Sequence, residues 1–161
     1  MIRLPNVHTK FKVRRATFRF YLGDSLDVLS RMTRRLVEGG HDVVVWDQNA
    51  AAVQTIGRSG AEGATSISDL VSKLTPPRAI WVMVPAGDPT EQTVTALAEH
   101  LQQGDTIIDG GNTHFKDDVR RASTLARRGI HYLDVGTSGG VWGAERGYCL
   151  MIGGPEHVED S

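Results

Sequence analysis

The chain has 161 residues, 40% hydrophobic and 23% charged, with a net charge of −1; this suffices for one domain with a full core and falls short of two. No apolar run approaches the roughly 20 residues that cross a bilayer, so no membrane partner is expected. A single cysteine, Cys149, excludes an internal disulfide and a zinc cluster, and a reduced, cytoplasmic setting is the default expectation.

The charge is unevenly spread. Arg3, Lys10, Lys12, Arg14, Arg15 and Arg19 fall within residues 1–23, which hold no acid. Such a segment suits a nucleic-acid arm, a transit peptide or sequence foreign to the domain. Its periodicity favours the third. Phe11, Val13, Phe18 and Phe20 alternate with polar residues, which allows a half-exposed strand but not the continuous apolar run of a central one. Residues 1–23 are therefore expected to be poorly ordered or attached as an irregular strand, and residues 24–161 to form the domain.

From there strands and helices alternate. Leu26, Leu29, Met32 and Leu36 mark a helix ended by Gly39-Gly40, and 41–47 form an apolar strand closed by Asp47. Ser66 to Asp69 resembles a capping box opening a short helix through Leu74, stopped by Pro76-Pro77. A strand over 79–84 follows, then a helix capped by Thr90 and running to Gln103. Residues 106–109 form a strand, 116–128 a polar amphipathic helix, and 130–135 and 148–152 further strands. This rhythm implies parallel βαβ units: a doubly wound, mostly parallel sheet of Rossmann type, incomplete at both ends.

In such folds ligands sit at the carboxyl ends of the strands, where four groups of residues fall. Asp47 could accept hydrogen bonds from a ribose diol or merely start a turn. Val84, Pro85, Ala86 and Gly87 could admit a planar ring and a diphosphate to backbone N–H groups, or form an ordinary turn. Asp109-Gly-Gly-Asn112 offers close approach and one side chain that both donates and accepts; the bland alternative is a turn with Asn112 left-handed. Ser138, Gly139 and Gly140 could make a nest for a carboxylate or phosphate oxygen. His131 and Cys149 read as packed residues rather than reactive ones.

Val84-Pro-Ala-Gly87, Ile108-Asp-Gly-Gly-Asn-Thr113, Lys116-Asp-Asp118 and the long run from Gly136 to Gly154 together resemble the decarboxylating 6-phosphogluconate dehydrogenases, most closely a shorter bacterial branch that often prefers NAD. The likeness covers about residues 32–158. It implies that Asp47, Gln48 and Asn49 face the adenosine ribose of NAD or NADP. It also implies that Val84, Pro85 and Ala86 line the dinucleotide and that Asn112 touches both nicotinamide and substrate. Ser138, Gly139 and Gly140 would hold 6-phosphogluconate. Asp47 disfavours a 2′-phosphate, so NAD is favoured. No metal and no nucleic acid are implied, and the contacts of the family's homodimer or tetramer are expected to be mostly missing.

Two departures stand out. The fingerprint glycines fall, in register with the family, on Asp24, Leu26 and Leu29, with Gly23 one residue off. The change from unrelated to matching sequence near Met32 looks like a frame change or a mis-assigned start. At the other end, the family's catalytic lysine and glutamate, and its helical domain, lie beyond Ser161. No catalytic residue is assigned, and a truncated, inactive fragment is the expectation. The alternatives are the corresponding domain of a 3-hydroxyisobutyrate-type dehydrogenase, against which the Asp-Gly-Gly-Asn turn argues, a non-catalytic binding protein, or a pseudogene-like product.

Overall fold

The structure, a computed structural model, describes residues 15–20, 26–139 and 143–155. Seven strands run β1 (Arg15–Phe20), β2 (Asp42–Asp47), β3 (Glu62–Gly63), β4 (Ala79–Met83), β5 (Thr106–Asp109), β6 (His131–Ser138) and β7 (Cys149–Gly153), in the spatial order β3-β2-β1-β4-β5-β6-β7. Among the described residues, only the pair β6–β7 is antiparallel. The doubly wound, mostly parallel sheet expected from the sequence is therefore present.

Helices α1 (Leu26–Glu38), α2 (Ala50–Gly57), α3 (Ile67–Ser72), α4 (Asp88–Ala98), α5 (Phe115–Ala126) and α6 (Gly143–Arg146) supply the crossovers and cover the sheet. Side chains alternate across β4, with Ile80 and Val82 on one face and Trp81 and Met83 on the other. The first pair packs with Leu70, Val94, Leu97 and Leu125 from α3, α4 and α5 and with Leu74 just after α3. The second pair packs with Met32 of α1 and Ile56 of α2. Ile80, Val82, Leu97 and Ile107 are wholly buried, each worth roughly 1.5–3 kcal/mol of transfer free energy.

One expectation needs correcting. Residues 15–20 are not an irregular attachment: they form β1 at the centre of the sheet, with Phe20 paired to Asp47 on one side and Met83 on the other. The physical reason lies in the neighbours. Without a strand between them, β2 and β4 would each present a row of backbone N–H and C=O groups to no partner, and any extended backbone satisfies both rows. An alternating pattern can therefore occupy a central place. Residues 1–14 and 21–25, including Gly23 and Asp24, lie outside the described residues.

Smaller differences have local causes. The α4 helix opens at Asp88, two residues before Thr90, because Gly87 takes φ 90° at its N-cap and Pro89 suits the first turn. Thr90 does not cap; its hydroxyl donates to the Pro85 carbonyl at 2.9 Å. The same helix stops at Ala98, short of Gln103, and the buried Asp105 carboxylate accepts the Gln102 N–H at 2.9 Å. Asp105 also accepts from the Arg78 backbone and guanidinium, stapling the starts of β4 and β5. Ser66 caps α3 as expected, accepting from the Asp69 N–H. The short elements α2, β3 and α6 were not foreseen.

Candidate functional site

Because β2, β4, β5 and β6 run parallel, their carboxyl ends share one edge of the sheet. Asp47, Gln48 and Asn49 leave β2; Val84, Pro85 and Ala86 leave β4; Asn112 follows β5; Ser138 and Gly139 end β6. At about 4.8 Å between strands, four spacings set the first and last groups roughly 20 Å apart. Gly140 lies outside the described residues.

The Asp47 group is built by the chain's own turn. The Asp47 carboxylate is 6% exposed and accepts the Asn49 N–H at 2.6 Å. The Asn49 side chain caps α2, accepting the Ala51 N–H at 2.9 Å. Asp47 thus starts the turn and presents a buried carboxylate at the end of β2.

Val84 is buried, while Pro85, Ala86 and Gly87 are exposed. The pair Gly110-Gly111 serves a different purpose from open access. A Cβ at Gly110 would collide with the indole nitrogen of Trp81, and one at Gly111 would sit 3.0 Å from the Val84 carbonyl oxygen. These glycines let the turn after β5 lie flat against β4. No residue other than glycine has positive φ among those described, so Asn112 is not left-handed. Its side chain projects from a tightly seated turn and is exposed.

Beneath that turn lies a buried polar cluster that the sequence did not reveal. The Asp109 carboxylate, wholly buried, accepts the Gly111 N–H at 2.9 Å and the Tyr132 hydroxyl at 2.7 Å. Asp118, 5% exposed, accepts the Thr113 hydroxyl at 2.8 Å and an Arg121 N–H at 3.0 Å. Arg121 is 4% exposed, and its Nε donates to Glu91 at 3.0 Å. Arg120 grips the same Glu91 with two N–H groups, at 3.0 and 2.7 Å. The available hint was Asp118 and Arg121 three apart on a helix read as polar and amphipathic.

Electrostatics follow from this burial. Desolvation, then the Asp109 charge, raises the Tyr132 phenol well above its ordinary value and keeps it a proton donor. Desolvation, then the charges of Asp118 and Asp109, pushes Asp134 upward. Hydrogen bonds from Arg120, with Arg121 adding to them, hold Glu91 down at about 2.

Ser138 is exposed at the end of β6, directly across from Cys149 on β7. Cys149 is exposed rather than packed in the core. The cause is its place on the edge strand, whose other side carries no further strand among the described residues. No cluster of potential metal ligands and no helix long and apolar enough to cross a membrane occurs among the described residues.

A family model described as the NAD binding domain of 6-phosphogluconate dehydrogenase matches residues 30–160. The NAD(+)-dependent, decarboxylating 6-phosphogluconate dehydrogenase of Haloferax volcanii is 46% identical over 136 residues, 82% of this chain and 44% of that protein. A protein of Bacillus subtilis named as a putative 6-phosphogluconate dehydrogenase is 46% identical over 123 residues, covering 75% and 40% of the two chains. Among solved structures, 6-phosphogluconate dehydrogenase of Plasmodium falciparum superposes with a TM-score of 0.80 over 90% of this chain and 32% of its own. At 23% identity that likeness shows the fold alone. The chain spans less than half the length of the curated relatives it matches.

Proposed function

The chain belongs to the family of NAD-binding domains of 6-phosphogluconate dehydrogenase, and from that premise we propose that it is the dinucleotide-binding part of an enzyme that oxidises and decarboxylates 6-phosphogluconate to ribulose 5-phosphate. The observation that carries the reading is the order of groups along one sheet edge: Asp47, then Val84 to Ala86, then Asn112, then Ser138. An acceptor for a ribose, small residues for a diphosphate and ring, and polar groups for a sugar acid follow one another over the length of a dinucleotide.

The residues present fit a nicotinamide dinucleotide. Asp47, held by the Asn49 N–H, accepts from the ribose hydroxyls, with Gln48 and Asn49 beside it. Its charge repels a 2′-phosphate, so NAD is preferred to NADP. Val84, Pro85 and Ala86 line the dinucleotide, whose nicotinamide supplies a hydride acceptor for C3 of the substrate. Asn112 orients the substrate at that ring, and Ser138, Gly139 and Gly140 hold its far end.

The proton transfers need a general base, which the residues named above do not include. Lys73 donates to the Gly63 carbonyl and pairs with Glu62 and Asp69, at the far side of β2. Asn112 and Ser138 orient but cannot act as a base at neutral pH. We place the reaction in the cytoplasm and expect a lysine and a glutamate from outside this chain to supply base and acid, as the family resemblance implies.

Calorimetric titration of the full chain with NAD, NADP and 6-phosphogluconate tests the reading. The expected result is weak binding of NAD and of 6-phosphogluconate, with NADP weaker than NAD. NADP binding equal to or tighter than NAD would remove Asp47 from its role. No binding of any of the three at millimolar concentration would sink the proposal.

A further inference from the structure

The buried cluster joins two loops that the functional reading treats separately. From the first turn of α5, Asp118 accepts the Thr113 hydroxyl and so reaches the turn that carries Asn112. Tyr132 brings its hydroxyl within 2.7 Å of Asp109 and 3.0 Å of Asp118, so β6 closes the same group. Arg121 then crosses to the neighbouring helix. Its Nη1 donates to Asp118 and its Nε to Glu91 in the first turn of α4. That turn is fastened in turn to the loop after β4, because the Thr90 hydroxyl donates to the Pro85 carbonyl. Gly111 sits under the Val84 carbonyl, completing the circuit from the other side.

We propose that Asp118, acting through Arg121 and Glu91, is a positioning residue that locks the Asn112 turn to the Val84–Gly87 loop, so that the substrate-facing and ring-facing segments move as one body. The composition of the cluster supports this over a purely stabilising role. Buried carboxylates and a buried guanidinium contribute little net stability compared with apolar residues of similar volume, because of the desolvation they require. What directional hydrogen bonds add is a fixed geometry. One of the bonds joins helices distant in the chain, Arg121 to Glu91, while Thr113 to Asp118 and Thr90 to Pro85 fasten each turn to the helix that follows it.

This inference rests on the functional reading for the identity of the two loops, and its test separates the two. Amide hydrogen exchange, read residue by residue on the full chain without ligand, is compared between wild type, Asp118→Asn and Glu91→Gln. Glu91 is partly exposed, so Glu91→Gln is expected to fold even where Asp118→Asn does not. The expected result for Glu91→Gln is exchange faster by about tenfold at Gly111 and Thr113, across the helix gap from the altered residue, and at Ala86 and Gly87. Exchange at Asp47 to Asn49 should not change. Acceleration confined to α4, or spread evenly over the chain, overturns the proposal, since either means that Glu91 is structural only. A second arm follows chemical shifts on adding 6-phosphogluconate and NADH. In wild type, shifts from one ligand should appear at both loops; in Glu91→Gln each ligand should perturb only the loop it touches. A wild-type chain that binds neither probe counts against the functional reading, and the exchange result then decides the coupling alone.

Discussion

The two halves of the sheet differ in what holds them to the fold's purpose. In the half built from β4, β5 and β6, backbone and side chains agree: strand ends, tightly seated glycines and a buried polar cluster converge on the turn bearing Asn112. In the half around β1 and α1 the backbone agrees and Met32 of α1 is buried in the core. The central strand is in register with both neighbours and the helix follows it, yet the helix opens with Leu26 and carries Leu29 where the family fingerprint has glycine. A sheet needs only extended backbone at its centre, whereas a diphosphate needs backbone without side chains in its way. Topology is thus the less demanding requirement, since extended backbone alone meets it.

The largest effect should come from repairing the weaker half. On the proposal that the general base is not among the residues at this site, the purified chain should show no turnover of 6-phosphogluconate with either nucleotide, since general-base assistance alone is worth about 10²–10⁴ in rate. Measurable formation of reduced nicotinamide by the purified chain would break the comparison. Replacing Asp24, Leu26 and Leu29 together by glycine should tighten NAD by at least about tenfold, because the backbone can then approach the pyrophosphate at the start of α1. Unchanged affinity in a folded triple variant would place the defect elsewhere.

The stronger half can be weakened in a graded way. Tyr132→Phe takes from Asp109 its shortest hydrogen bond in a wholly buried place and should cost about 1–3 kcal/mol, read by urea unfolding. A loss of a few tenths would mean that the cluster is loosely assembled.

A smaller effect concerns acid. Glu91 has an ordinary value of 4.5 and is held at about 2 in the fold by Arg120 first. A lowered carboxylate stabilises the folded state fully above its unfolded value, and that contribution disappears as pH falls from 4.5 through about 2. Unfolding midpoints across this window should fall less steeply in Glu91→Gln than in wild type. Parallel slopes would show that the pair with Arg120 is made only loosely. Smallest of all, burial and the charges of Asp118 and Asp109 raise Asp134, so its ionised form opposes folding at neutral pH. Asp134→Asn should raise the melting temperature by about 1–2 °C, and a fall would put the repulsion in doubt.

The sequence made the stronger half legible because strands buried on both faces announce themselves as continuous apolar runs, as residues 79–84 do. Strand-end residues were equally legible, since a fixed topology puts every parallel strand's last residue on one edge. The β1 strand was missed because its pattern belongs to a half-exposed strand, and what recruits it is hydrogen-bonding need in β2 and β4, which no local window contains. The cluster of Asp109, Asp118, Arg121 and Tyr132 was missed for a related reason. Its members are separated by up to 23 positions and look like surface charges until the helix is docked.

Trp81 lies directly beneath Gly110, one strand away from the turn that carries Asn112. On the proposed placement of the cofactor, this sets an intrinsic emitter close to where a reduced nicotinamide would lie, and indole emission overlaps the absorption of that ring. Energy transfer from Trp81 would report occupancy of this edge by light alone, without label or turnover, and would do so even in a chain that performs no chemistry.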